Sequence, residues 1–334
     1  MPNEKLLTVV VAAYNCSTTL ERIFVHLAAC KQLDQLEVVL VNDGSKDDTS
    51  EVAHQYASRY PDWVHVVDKE NGGHGSALSA GFRVAHGKYC RPLDGDDWLD
   101  EHGLDMLLGK LARCDADMIV SDVETTNLDT NGSATETWRL PVDQLCSVAD
   151  LVPLKRMPGY HAAVFSTDIL RMIPELDHHC FYVDNEYNVY PLFSVNSIVY
   201  YPGTVYVHTV GNNEQSTSIN SLIKNRSNLQ TVFFSLMRFA ALHKDNTAAV
   251  AVAQRFAGSL LGIFTAVAFT ISPEQGKSEL HAMYAKVREH YPDFYRTAEL
   301  PRVGKMYRFF HLHGYRFIRL LVDAKHKGNT RIIW

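Results

Sequence analysis

From Leu6 to Leu93 the sequence alternates four times between short apolar runs and segments of helical period, a pattern that a layered α/β architecture accommodates. Leu6 to Ala13 is a continuous, Val-rich run, as expected of a strand covered on both faces. Thr18-Thr19-Leu20-Glu21 reads as a capping box opening a helix to about Cys30. Leu36 to Val41 predicts a second strand, and the Asn42-Asp43-Gly44-Ser45 turn leads to a helix from about Asp47 to Arg59. Trp63 to Val67 predicts a third, followed by the Gly-rich loop Asn71-Gly72-Gly73-His74-Gly75 and a helix to Ala85; Tyr89 to Leu93 is the fourth. The alternation predicts βαβ units in a mostly parallel sheet with helices on both faces. Ligands of such sheets bind beyond the carboxyl ends of the strands. Tyr14-Asn15, Asn42-Asp43, Asn71 to Gly75 and Asp94 to Asp97 all follow strand ends, so they are expected to share one rim.

Beyond Thr126 the pattern is mixed to about Thr217, with short strands expected at Ala162 to Phe165 and Ile198 to His208. From Ser221 onward it is helical, including Leu222 to His243, Thr247 to Ile271 and Lys305 to Asp323. The longest apolar stretch, Phe256 to Ile271, is short of the roughly 20 residues that a spanning helix needs, and reads as a buried helix. A first domain over 1–220 and a helical region over 221–334 follow. With 334 residues, 46% of them hydrophobic, a large core is available.

A formal charge of −6 argues against general nucleic-acid binding, which draws on clustered Lys and Arg. The charge is uneven: residues 301–334 carry eight Lys/Arg against one Asp, a net of +7, which leaves −13 for the rest. Six cysteines without a Cys-x-x-Cys pair fit reduced thiols in a cytoplasmic protein. His178-His179-Cys180 lacks the second ligand cluster that a zinc site requires. Met1 to Lys5 pass directly into the first strand, with no apolar signal segment, so export is not expected.

Asp94, Asp96 and Asp97 stand together where the fourth strand ends. Three such carboxylates repel one another unless solvated, used as helix caps or neutralised by a cation. Oxygen ligands suit Mg²⁺ or Mn²⁺, with a substrate's phosphates completing the shell. The alternative is a loop in which Asp97 caps a helix beginning near Leu99.

Val10-Val11-Ala12-Ala13-Tyr14-Asn15, then Val41-Asn42-Asp43-Gly44-Ser45 with Asp48-Thr49, then Asn71-Gly72-Gly73 through Ala80-Gly81, then Asp94-Gly95-Asp96-Asp97 closely resemble, in order and spacing, glycosyltransferase family 2. The resemblance implies the GT-A fold and a nucleotide-sugar donor, with Tyr14 and Asp43 on the nucleobase, Asp43 through the uracil imide. It implies Asp94 near the ribose, Asp96 on the metal that bridges the diphosphate, and Mn²⁺ or Mg²⁺ as cofactor. The donor side then comprises Ala13, Tyr14, Asn15, Asp43, Asn71, Gly73, His74, Ser76, Asp94 and Gly95. In the Gly-rich loop, glycines let the backbone approach a phosphate and a helix start favours an anion, while His74 either contacts the diphosphate or caps that helix.

Phe181-Tyr182-Val183-Asp184-Asn185-Glu186-Tyr187 resembles the segment in which this family carries its base, with Asp184 on the aspartate position and Glu186 the runner-up. Val183 stands where the family often has Glu. Val205-Tyr206-Val207-His208, followed by Asn213 to Ser218, resembles the strand and loop that close many such sites, making His208 a candidate metal ligand beside Asp96 and Asp94. His161 and Trp98 are candidates for the acceptor side. The expected activity is an inverting, metal-dependent, hexosyl-type transfer from a UDP-sugar to a saccharide, lipid-linked or glycoprotein acceptor in surface polysaccharide or glycoconjugate assembly. The Gln-x-x-Arg-Trp motif of processive synthases is absent, so one sugar is expected per encounter.

Two other classes share parts of this pattern. A sugar-1-phosphate nucleotidyltransferase would open with a Gly-rich loop carrying Arg where strand one here ends in Ala13-Tyr14-Asn15-Cys16. A nucleotide-sugar-binding scaffold would need no base at Asp184 or Glu186. In the last helix Lys305, Arg308, Arg316 and Arg319 form one stripe beside Met306, Phe310, Phe317 and Leu320. That surface either docks peripherally on the inner face of a membrane or packs on the domain; homo-oligomerisation is a further expectation for this region.

Overall fold

Thr8, Val9, Val10 and Val11 have no solvent exposure in strand β1 (Leu7–Ala13), and Leu36 to Asp43 are buried throughout β2 (Leu36–Asp43), as expected of Val-rich strands covered on both faces. The computed structural model describes residues 5–130, 132–211, 218–300 and 302–309, together with 315, 317 and 319. The chain divides into two compact units, Met1–Asn212 and Asn213–Trp334.

The first unit continues with helix α1 (Ser17–Ala28) between those strands, α2 (Thr49–Arg59), β3 (Val64–Lys69), α3 (His74–Val84), β4 (Tyr89–Asp94), β5 (Trp98–Leu99) and α4 (Glu101–Leu111). It then runs through β6 (Met118–Asn127), β7 (Gly132–Glu136), β8 (Leu145–Cys146), α5 (Val148–Leu151), β9 (Ala163–Ser166), α6 (Thr167–Met172), α7 (Asp184–Val189) and β10 (Ile198–Val210). These strands form one sheet in the order β3-β2-β1-β4-β9-β6-β10-β5, with β7 on β6 and β8 on β10. The β3-β2-β1-β4 half is parallel, as the alternation predicts. Further along, β9 runs antiparallel to both β4 and β6, and β10 returns parallel to β6, so the complete sheet is mixed.

The register of β10 against β6 shifts on either side of Thr204, just past Pro202-Gly203. A proline cannot donate to the ladder, and a bulge is where a sheet tolerates one. Beyond the bulge Tyr206 and His208, two residues apart, share a face of the strand.

Three local expectations change. The capping box does not form: α1 starts at Ser17 with Cys16 at the N-cap, and the Thr19 hydroxyl donates instead to the carbonyls of Cys16 and Gly95, tying the helix to the acidic turn. Asp97 caps nothing; α4 starts later, with Asp100 accepting the Gly103 N–H at 2.7 Å. Strands β6 and β7 carry no single apolar run, because the second half of β6 is polar and β7 is exposed for most of its length.

The second unit is helical: α8 (Ile219–Lys224), α9 (Arg226–Leu242), α10 (Thr247–Ala268), α11 (Pro273–His290), α12 (Pro292–Thr297) and α13 (Arg302–Phe309). The helix expected over Leu222 to His243 is two, broken at Asn225. Helix α10, at 22 residues, is long and apolar enough to cross a membrane, but most of it is buried against α9, α11 and α13, as a core helix is. In the basic tail, Arg308 donates to the Tyr295 and Ala298 carbonyls and Arg319 to that of Ile271, so part of the expected solvated stripe is spent inside the unit. Arg316, Phe310, Leu320 and residues 321–334 lie outside the described residues.

Candidate active site

At the rim of the parallel half, each strand end fastens to the next. Asn15, at φ 50°, donates its N–H to Ser45 Oγ at 3.1 Å and accepts that of Lys46 at 2.8 Å, while Tyr14 stays 48% exposed. Asp43 is buried at the end of β2, and its carboxylate takes four donors. Lys69 Nζ at 2.7 Å and the Gly72 N–H at 2.9 Å reach Oδ1; Asn71 Nδ2 at 3.1 Å and the Gly73 N–H at 2.7 Å reach Oδ2. A carboxylate offers about four such sites, and these donors occupy them. Asp43 thereby organises the Gly-rich loop, because a buried carboxylate short of donors is costly. The same bonds turn the Gly72 and Gly73 N–H groups toward Asp43.

The acidic turn after β4 is held from two sides. Tyr160, almost fully buried, donates its hydroxyl to Asp94 Oδ1 at 2.8 Å and has His74 Nε2 at 3.2 Å. His74 and His161 place ring nitrogens 3.7 and 3.9 Å from Asp94. Burial raises the Asp94 carboxyl, but bonds and charges from His161, His74 and Tyr160 outweigh it and hold the group well below the usual range. Asp97 is 1% exposed; Tyr206 donates to Oδ2 at 2.8 Å and the Thr209 N–H to Oδ1 at 2.7 Å. Burial and the neighbouring charge of Asp94 push Asp97 up. Asp96 is the exposed member, also pushed up by burial and by Asp94. Beneath them Arg91 is fully buried, its Nη2 on the His161 carbonyl at 2.7 Å and its guanidinium 5.1 Å from the Tyr206 ring.

The chemistry of these groups fits a divalent cation. One oxygen from each of Asp94, Asp96 and Asp97 lies within 4.8 Å of the others, and the same holds for one ligand atom from each of Asp97, His161 and His208. His208 stacks on His161 with ring centroids 4.3 Å apart. Burial and the charge of His161 lower it to about 4, so its imidazole keeps a lone pair at neutral pH. Carboxylate oxygens with a neutral imidazole suit Mn²⁺, and the oxygens alone suit Mg²⁺. His161, expected on the acceptor side, lies beside the acidic turn.

Asp184 opens α7 and interacts electrostatically with His161, His74 and Asp94. Burial pushes its carboxyl up against the pull of the two histidines. Glu186 is different: wholly buried, it accepts the Asp177 N–H at 2.9 Å and the Tyr190 hydroxyl at 3.1 Å, and burial lifts it to about 8. These bonds make it a brace for the preceding loop. Trp98, expected on the acceptor side, is engaged by α1, under the Arg22 guanidinium at 4.7 Å and stacked with His26 at 5.5 Å. Ser76 is buried inside α3, and Ala13 and Gly95 line the rim through their backbone. Residues 213–217 lie outside the described residues.

Sequence reasoning missed Tyr160, Tyr206 and Arg91. Their partners lie far away in the chain, 66 residues for Tyr160 and Asp94 and 109 for Tyr206 and Asp97, and buried tyrosines read as ordinary packing.

Comparison with known proteins bears on this site. A family model described as Glycosyl transferase family 2 matches residues 8–188. A chondroitin synthase of Pasteurella multocida is 34% identical over 126 residues, which are 38% of this chain and 12% of that protein. The uncharacterized glycosyltransferase YibD of Escherichia coli is 29% identical over 152 residues, 45% of this chain and 42% of its own length. This chain therefore matches only a minor part of those relatives. Among solved structures, S. aureus TarS 1-349 superposes with a TM-score of 0.60 at 15% identity, covering 97% of this chain and 92% of that one. A mannosyltransferase from Pyrobaculum calidifontis, in complex with GDP-Man and Mn²⁺, gives 0.51 at 16% identity over 98% and 89%.

Proposed function

Because the chain belongs to glycosyltransferase family 2 and has the GT-A fold, we propose that it transfers a single sugar, with inversion, from a nucleoside-diphosphate donor to an acceptor hydroxyl, using Asp184 as the base. The observation that carries this reading is the acidic turn itself. Asp94 and Asp97 are each fixed by a tyrosine, Asp96 is left exposed, and Asp184 interacts with the same two histidines. UDP is the nucleotide the motif resemblance favours, and UDP-GlcNAc is held by the related fold of TarS. The chemistry is assigned to the first unit; oligomerisation, membrane docking or further contacts to the acceptor are assigned to the helical one.

In this reading Tyr14 lies against the nucleobase, and Asp94, Asp96 and His208 hold the cation. A divalent ion bound there supplies positive charge to the departing diphosphate. Asp184 accepts the proton of the acceptor hydroxyl as that oxygen attacks the anomeric carbon from the face opposite the leaving group. Tyr160 and Tyr206 keep Asp94 and Asp97 from turning away under mutual repulsion.

The test is a panel of UDP-, GDP- and dTDP-sugars, with Mn²⁺ or Mg²⁺, read by thermal stabilisation and by nucleotide release. A ligand at a hundred times its Kd stabilises the native state by about 2.7 kcal/mol. One donor class is expected to raise the melting temperature only with a divalent ion and to be hydrolysed slowly. If no nucleotide sugar shifts the melting temperature, the reading fails.

A further inference from the structure

Just ahead of Asp184, the loop 176–183 holds its backbone in an unusual state. His179 and Tyr182 both adopt left-handed conformations, at φ 48° and 69°. A bulky residue at such an angle is uncommon and persists only where its surroundings impose it. Here they do. Cys180 and Val183 are buried on either side, the His179 N–H donates to the Gly72 carbonyl at 2.7 Å, and Asn185 grips the Tyr182 carbonyl through both its N–H at 3.1 Å and Nδ2 at 2.9 Å. The result is that Phe181 is lifted 44% into solvent, its ring 6.1 Å from that of Tyr182. A loop this firmly tied had buried positions available at 180 and 183, yet it presents its phenylalanine outward.

We propose that Phe181, flanked by Tyr182, is the stacking platform of an acceptor subsite, and that its ligand is the apolar face of a pyranose ring. The inference rests on the reading of Asp184 as base, because it sets the acceptor beside that carboxylate. A sugar ring has a flat C–H face for an aromatic side chain and a rim of hydroxyls for polar groups. The surroundings supply both, since His178 and His179 are exposed and Asp184 follows three residues after Phe181. An acyl chain would need a longer apolar strip than one or two rings between polar neighbours. Platform and base share one segment, and the His179 N–H bond to the Gly72 carbonyl holds that segment against the Gly-rich loop at the rim.

The experiment uses the full chain and saturation-transfer NMR with methyl β-glucoside, methyl β-galactoside and methyl N-acetyl-β-glucosaminide, each with and without UDP and Mn²⁺. At least one glycoside is expected to bind through its ring protons. Phe181→Ala is expected to weaken it at least tenfold and Phe181→Trp to restore it, with the affinity for UDP and Mn²⁺ unchanged in both. Equal glycoside binding by Phe181→Ala overturns the platform, as does the absence of any glycoside binding by the unaltered chain. Loss of UDP binding alone counts against the donor reading and leaves the glycoside measurement to judge the platform.

Discussion

Tyr206 donates its phenol to the Asp97 carboxylate at 2.8 Å while accepting the backbone N–H of Asp94 at 3.2 Å, so one side chain of β10 fastens both ends of the acidic turn. Tyr206→Phe keeps the packing and removes both bonds. Leaving a buried carboxylate one donor short costs about 1–3 kcal/mol. The urea midpoint is expected to fall accordingly, and Mn²⁺-dependent UDP affinity to fall with it, because Asp94 loses its anchor. Calorimetry showing both unchanged would dismiss the clamp.

Asp184 and Glu186 sit two residues apart, but Asp184 faces the charges of His161, His74 and Asp94, whereas Glu186 is bonded to the Asp177 N–H and the Tyr190 hydroxyl. Asp184→Asn is expected to slow transfer by at least about a hundredfold at unchanged donor affinity, the usual contribution of a general base. Glu186→Gln keeps an oxygen for the Asp177 N–H and can donate its amide NH2 to the Tyr190 hydroxyl oxygen, so turnover is expected to stay within a few-fold. Steady-state kinetics showing the reverse pattern would move the base to Glu186.

Arg91 has no exposure, and its Nε and Nη1 lack a partner among the described residues. Burial lowers its affinity for the proton, which is the signature of a cation kept where it is poorly solvated. Replacing such a group by an apolar one of similar volume is often neutral or stabilising. Arg91→Met is therefore expected to leave the stability from urea unfolding within about 1 kcal/mol of the parent. Turnover should nonetheless fall, because His161 loses the bond to its carbonyl and Tyr206 the cation beneath its ring. A variant with full turnover would make Arg91 a bystander.

The rim was legible because each motif began where an apolar run stopped, and a parallel sheet gathers such ends on one side. That logic brings Asn15, Asp43, His74 and Asp94 to the same rim, where the structure has them. It does not reveal how those groups bond to one another once gathered. Asp43 and the glycine loop satisfy each other, which neither segment announces alone, and Thr19 donates to a carbonyl 76 residues away. The polar second half of β6 hid a strand because its partner β7 is exposed, so no apolar alternation marks it. Long-range satisfaction of polar groups has no local sequence signal; burial of apolar runs does.

Glu37 lies at the opposite end of β2, 2% exposed, accepting the Thr8 hydroxyl at 2.5 Å, the His86 N–H at 2.7 Å and the His86 ring at 2.8 Å. Burial alone would raise its carboxyl, but these bonds prevail and hold it below its ordinary value. Since the folded value is depressed, the stabilisation is fully present above the unfolded value of about 4.3 and is lost as pH falls through the folded one. Glu37→Gln is expected to be less stable than the parent at pH 7, with the gap closing below about pH 4.3. Urea midpoints at neutral pH and at steps down through the acid range measure it, and a gap that is constant with pH would exclude the linkage.

Gly73 and Gly109 make a paired test of how the glycine-rich loop is built. Gly73 sits at φ 85° and ψ 171°, a region other residues enter at a cost of about 1–3 kcal/mol. A Cβ there would also stand 2.9 Å from the His179 nitrogen and 3.0 Å from its Cα, so the loop carrying Phe181 would have to lift. The Gly73 N–H that serves Asp43 at 2.7 Å would move with it. Gly109 lies within α4, where an added methyl group would have nothing within 4 Å, and alanine is the better helix former by roughly 0.5–1 kcal/mol. Gly109→Ala is thus expected to raise the urea midpoint and leave turnover intact. Gly73→Ala is expected to lower the midpoint and to reduce acceptor-dependent transfer more than donor hydrolysis, because hydrolysis does not need the displaced loop to position a sugar. If Gly73→Ala lowered both rates equally, the loop would be serving the donor and not the acceptor.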